Sequence, residues 1–109
     1  MPDNPPDALW NAFLRPPAEA RPFMRWWWGE DLRHEELARE LEQLARAGLG
    51  GIEVDTMSGS WLSPEWAGSI RFAAEWCRQH GMIMDMSPGL RWPFHGSFVP
   101  PEDAAVAIA

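Results

Sequence analysis

Three short apolar runs alternate with two longer amphipathic stretches along this chain. The first run, residues 23–28, reads Phe-Met-Arg-Trp-Trp-Trp and suits a strand. Alternation sends Trp26 and Trp28 to one face and Trp27 to the other, so both faces need cover. Gly29 ends that strand. Residues 32–47 change to a helical period, with Leu37, Leu41 and Leu44 on one stripe and Ala38 and Ala45 beside it. Glu35 with Arg39 and Glu42 with Arg46 are acid-before-base pairs four apart, the favourable orientation. Gly48 is placed to close this helix at C′. Residues 50–57 form the second strand and its exit, with Ile52 and Val54 on one face and Glu53 and Asp55 on the other. Ser63, Pro64 and Glu65 then make a helix start: a capping hydroxyl, proline at the first position and an acid in the first turn. Trp66, Ile70, Ala73 and Cys77 form its apolar stripe, and His80-Gly81 closes it. Residues 82–86 are the third strand, on which Met82, Met84 and Met86 share a face expected to pack against helices. Ser87-Pro88-Gly89 is expected to break it. A loop over residues 90–99 carries Trp92 and His95, and Pro100-Pro101-Glu102-Asp103 resembles one more helix start.

The order is therefore β-α-β-α-β-loop-α, and the fold class is α/β. Strands recurring about every thirty residues are the size of βαβ units and predict a parallel sheet with right-handed crossovers. A full eight-fold barrel needs ~250 residues, so about three units make either a small α/β domain or the first part of a barrel. Residues 1–22 differ in kind, carrying Pro2, Pro5, Pro6, Pro16, Pro17 and Pro22. They are expected to form an extended arm packed over the domain, with a short helix or docked turn at residues 8–14. Two segments result: an arm over 1–22 and the βα units over 23–109.

Charge and composition narrow the chemistry. A formal net charge of -7 and a pI near 4.8 disfavour binding to phosphate backbones, so no nucleic-acid partner is expected. The chain has no lysine, which removes Schiff-base, pyridoxal-lysine and P-loop chemistry. Its single cysteine, Cys77, can form neither an internal disulfide nor a cysteine zinc cluster, and is expected to be inert core. His34-Glu35-Glu36-Leu37-Ala38 begins like a zinc-protease helix, but Ala38 stands where the second histidine belongs. No apolar run is long enough to cross a membrane and no leader pattern is seen, so the cytoplasm is the default expectation.

Ligands of parallel α/β folds bind at the carboxyl ends of the strands. Glu53 and Asp85 lie within otherwise apolar strands, where a carboxylate needs a partner, a ligand or solvent. Arg25 or Arg91 could neutralise them, giving an ion-pair network at the strand ends. Tryptophan combined with carboxylates also suits sugars: an indole packs on the C–H face of a pyranose and carboxylates accept from hydroxyls. Trp28 and Trp92 flank glycine or proline at strand ends and are expected to face the ligand. Trp66 and Trp76 are expected to pack, His34 to be exposed, His80 to cap and His95 to be solvated. No cofactor motif is evident.

Several of these segments resemble one known family. Arg-Pro-x-x-Arg-Trp-Trp-Trp at residues 21–28 and Ala-Gly-Leu-Gly-Gly-Ile-Glu-Val at residues 47–54 resemble the start of the catalytic region of α-L-rhamnosidase-like enzymes, glycoside hydrolase family 106. Trp-Leu-Ser-Pro-Glu-Trp at 61–66, the stretch from His80 to Asp85, Pro-Gly-Leu-Arg-Trp-Pro at 88–93 and Val-Pro-Pro-Glu-Asp-Ala-Ala at 99–105 follow in the family's order. The resemblance implies a (β/α)8 TIM barrel that hydrolyses rhamnosides of plant or microbial polysaccharides, by inversion and with calcium. It places the catalytic acid and base on later strands, so no residue here inherits a catalytic or metal-binding role. Trp28, Glu53, Asp85 and Trp92 would inherit positions near the sugar. Leu90-Arg91 and Phe94-His95 depart from the family's smaller residues around Trp92-Pro93. The expected function is that of an N-terminal fragment of a glycoside hydrolase, inactive alone. The alternative is a non-catalytic carbohydrate-binding or assembly module using the same Trp–carboxylate face. The expected partners are a rhamnose-containing glycan, a second copy, or a separately encoded remainder of the barrel.

Overall fold

The computed structural model describes residues 5–58, 60–91 and 99–104. Three strands, β1 (Phe23–Trp28), β2 (Gly51–Thr56) and β3 (Ile83–Leu90), form a parallel sheet in the order β1-β2-β3. Helix α2 (His34–Arg46) joins the first two and α3 (Pro64–Gln79) the last two. The α/β class and the βαβαβ order are as the alternating patterns predict.

Local chemistry explains the helix limits. The α2 C-terminus closes on Gly48 at φ +86°, with the Gly48 N–H donating to Ala45 and the Leu49 N–H to Leu44. This is the paired bonding that a left-handed C′ residue permits. Helix α3 starts as expected: the Ser63 hydroxyl accepts from the Trp66 N–H at 3.1 Å, and Pro64 follows it. At its far end the His80 ring stacks on Trp76 at 3.6 Å and Nδ1 lies 2.8 Å from the Trp76 carbonyl. On α2, Glu42 pairs with Arg46 at 2.7 Å, but Arg39 turns to Glu36 and Glu40 rather than to Glu35. His34 is exposed, as expected, and its ring stacks on Phe72 of α3 at 4.3 Å.

Both helices cover the same side of the sheet. Trp26, Trp28, Ile52, Val54, Leu37, Leu41, Trp66, Ala73, Cys77 and Met82 form one buried cluster. The Trp26 indole donates to Glu40 of α2 at 2.6 Å, and the Trp66 indole of α3 donates to Thr56 of β2 at 2.8 Å. Two consecutive right-handed crossovers in one direction produce this arrangement. Burial pushes the Cys77 thiol up to about 11, as befits an unreactive core cysteine.

Four expectations change. Ser87-Pro88-Gly89 does not break β3; it lies inside the strand, where the β2–β3 register slips between Val54 and Thr56. Pro88 is tolerated because β3 pairs on one side only among the described residues. Met86, although in register with Val54, is 42% exposed, whereas Met82 is buried. The short helix expected at residues 8–14 begins earlier than expected: Pro5–Leu14 is a helix, α1, with prolines in its first turn. Trp10 and Phe13 stack on it at 5.6 Å, yet both are exposed, as are Leu9 and Leu14. A 3₁₀ turn at Pro101–Asp103 takes the place of the start of the last expected helix, whose body lies outside the described residues.

On the outer surface of α3, Arg78 and Gln79 both donate to Glu75 and hold its carboxyl down to about 2. A carboxyl lowered by folding stabilises the protein above the ordinary carboxylate range and loses that contribution as pH falls through its folded value. An NMR titration of the Glu75 side chain should therefore find its midpoint near 2, and a midpoint at 4 or above would show the contact absent in solution.

Candidate functional site

The face of the sheet opposite the helices carries the polar chemistry. Register sets Arg25 beside Glu53 and Glu53 beside Asp85, and sets Trp27 beside Asp55. Alternation puts all five on one side. Below them Phe23 lies against Gly51, whose missing side chain leaves room for the ring: a Cβ there would sit 2.7 Å from Phe23.

Arg25 organises this face. Its Nη2 donates to Glu53 Oε1 at 3.1 Å, and its Nε lies 3.6 Å from Asp55 Oδ2. The Ser87 hydroxyl donates to the same Glu53 oxygen at 3.4 Å. Glu53 remains about one-third exposed, Asp85 is exposed, and Asp55 is only 2% exposed. Asp55 Oδ1 is buried without a hydrogen-bond partner among the described residues. The register slip of β3 falls at this position, so no β3 residue is paired with Asp55.

Glu53 and Asp85 do come together on the open face. Trp28 does not join them: it is 2% exposed, packs edge-on against Trp26 at 5.3 Å and belongs to the helix-covered core. Its indole N–H is buried without an acceptor among the described residues. Trp27, 59% exposed, is the indole on the carboxylate face. Trp92 and His95 lie outside the described residues. Arg25, not Arg91, pairs with Glu53, and it also faces Asp55; Arg91 donates to the Met57 carbonyl at 3.0 Å. The deeply buried carboxylate is Asp55, where Glu53 and Asp85 had been expected. Only its place two residues beyond Glu53 marked it in the sequence.

Calcium binds six to eight oxygens. Among the described residues no group of three or more His, Cys, Asp or Glu is arranged to hold a metal ion. With the Arg25 guanidinium between Glu53 and Asp55, these residues do not fit calcium. A groove of about 640 Å³ lies elsewhere, between α2 and α3, lined by Glu35, Ala38, Glu42, Ala45, Trp76 and His80. Of its two glutamates, Glu42 is paired with Arg46 on the helix surface. No helix among the described residues is long and apolar enough to cross a membrane.

No family model matches this chain, and no curated protein matches it either.

Proposed function

We propose that this chain supplies the first three βα units of a (β/α)8 barrel of the α-L-rhamnosidase-like kind, and that the open sheet face holds a sugar. The observation that carries the proposal is the pairing of topology with chemistry. Helices on one side of a consecutively ordered parallel sheet are what successive units of a barrel require. The opposite side would then be the barrel interior, and it bears an exposed indole, a guanidinium and three carboxylates.

Such a face suits a neutral polyol. Trp27 offers a flat apolar surface to the C–H face of a sugar ring. Glu53 and Asp85 accept from vicinal hydroxyls, and Arg25 donates. The face binds and orients; the acid and base of hydrolysis would come from strands outside this chain. Alone, the chain should not release nitrophenol from an aryl α-L-rhamnoside, and release at enzymatic rates would sink that division of labour.

Binding is tested by titrating L-rhamnose while following tryptophan fluorescence. Wild type should respond saturably, and Trp27→Ala should remove the response at unchanged melting temperature, because that indole is already in water. A wild-type response that survives Trp27→Ala would place the sugar elsewhere. If full chains that contain these units plus further strands bind rhamnosides without hydrolysing them, the binding-module alternative replaces the enzyme.

A further inference from the structure

We infer that Asp55 is a positioning residue: it anchors Arg25 from beneath so that Arg25 holds Glu53 in its ligand-accepting orientation. The inference rests on the sugar-face proposal for its ligand, but its geometry stands separately. A carboxylate only 2% exposed, with one oxygen unpartnered among the described residues and the other 3.6 Å from a guanidinium, is poorly repaid for its desolvation. A neutral side chain of the same shape would serve the fold as well. What the charge does is fix one end of a chain of contacts. Asp55 Oδ2 faces Arg25 Nε, Arg25 Nη2 donates to Glu53 Oε1, and Ser87 donates to the same oxygen. Both donors converge on Oε1, so the second oxygen of Glu53 is the one turned to a ligand.

Arg25 is a long side chain, 44% exposed, on a strand paired on one side only among the described residues. Its pair with Glu53 is exposed, and exposed pairs are loosely kept. The buried Asp55 charge gives it a second, dry attachment. Its function is therefore to lower the reorganisation needed when a sugar arrives.

The test compares wild type, Asp55→Asn, Arg25→Gln and the double variant in the full chain. Asp55→Asn should melt at or above the wild-type temperature, since a costly buried charge has gone. It should nonetheless weaken binding of methyl α-L-rhamnoside about tenfold or more, the usual loss of one charge-assisted contact. The double variant should bind no worse than Arg25→Gln, because Asp55 acts through Arg25. Nitrogen relaxation of Arg25 Nε in unliganded protein gives a reading that needs no sugar: its order should drop in Asp55→Asn. Unchanged order, or a lower melting temperature with unchanged affinity, makes Asp55 a structural group and overturns the inference. Loss of Arg25 order in a protein whose wild type binds no rhamnoside would keep the Asp55 role and sink the sugar reading instead.

Discussion

Trp28→Ala should destabilise the protein more than any other single tryptophan change, by about 3–5 kcal/mol. Trp28 is 2% exposed and lies in the cluster that joins β1 to the helix layer. Removing its indole opens a cavity beside Trp26, and Trp26 in turn is tethered to α2 through Glu40. The surroundings cannot collapse easily, because Thr56 beside it is buried and fixed in the central strand. One offset exists: the Trp28 N–H has no acceptor among the described residues, so its loss removes a buried unsatisfied donor as well. That term is smaller than the cavity term. A domain of this size has about 5–15 kcal/mol in all, so the variant should melt about 15 °C or more below wild type. Thermal unfolding followed by circular dichroism measures it. A shift below about 5 °C would mean that Trp28 is not in the core. The contrast with Trp27→Ala, expected to change binding and not melting, separates two adjacent residues by the side of the sheet they occupy.

That separation marks the limit of what the residue pattern could say. Strand and helix order was legible because apolar runs, Ser63-Pro64 and Gly48 are local signals whose physics acts within a turn or two. Alternation also required Trp27 and Trp28 to point apart. Which of them met the helices depended on both crossovers covering one side, a long-range fact. Trp28 looked ligand-facing because Gly29 follows it; a strand end next to glycine is a site only on its uncovered face. The burial of Asp55 was not foreseen and Pro88 was misread, for one shared reason. The β3 slip at Ser87-Pro88-Gly89 extends the strand and leaves Asp55 without a partner in β3. A proline in a run reads as a breaker unless the strand is known to be paired on one side only. Helix α1 was legible over residues 8–14, and only its first turn was hidden by the prolines that begin it.

Gly50→Ala should be the most damaging of the conservative substitutions, destabilising by about 1–3 kcal/mol, at the upper end because rigid backbone is in the way. Gly50 sits where three segments meet at the N-terminal edge of the sheet. Its N–H donates to the Pro22 carbonyl at 3.0 Å, and its own carbonyl accepts from the Ile83 N–H at 2.9 Å. A Cβ on Gly50 would lie 1.8 Å from the Ala18 carbonyl oxygen and 2.9 Å from the Arg21 Cβ. Ala18–Ala20 is a single 3₁₀ turn, and Arg21 is tied to Pro16 by its guanidinium at 2.7 Å. The clash therefore cannot be relieved by a side-chain rotation; either this turn lifts away or β2 shifts. The turn has no buried residue, whereas the central strand is held by both neighbours, so the turn should yield. Hydrogen exchange should then speed up at Ala20 and Arg21, whose N–H groups bond within the turn, and stay slow at Val54 in the centre of the sheet. Equal acceleration at all three would mean that the sheet itself had moved. An unchanged melting temperature would mean that residues 18–20 do not rest on Gly50 at all.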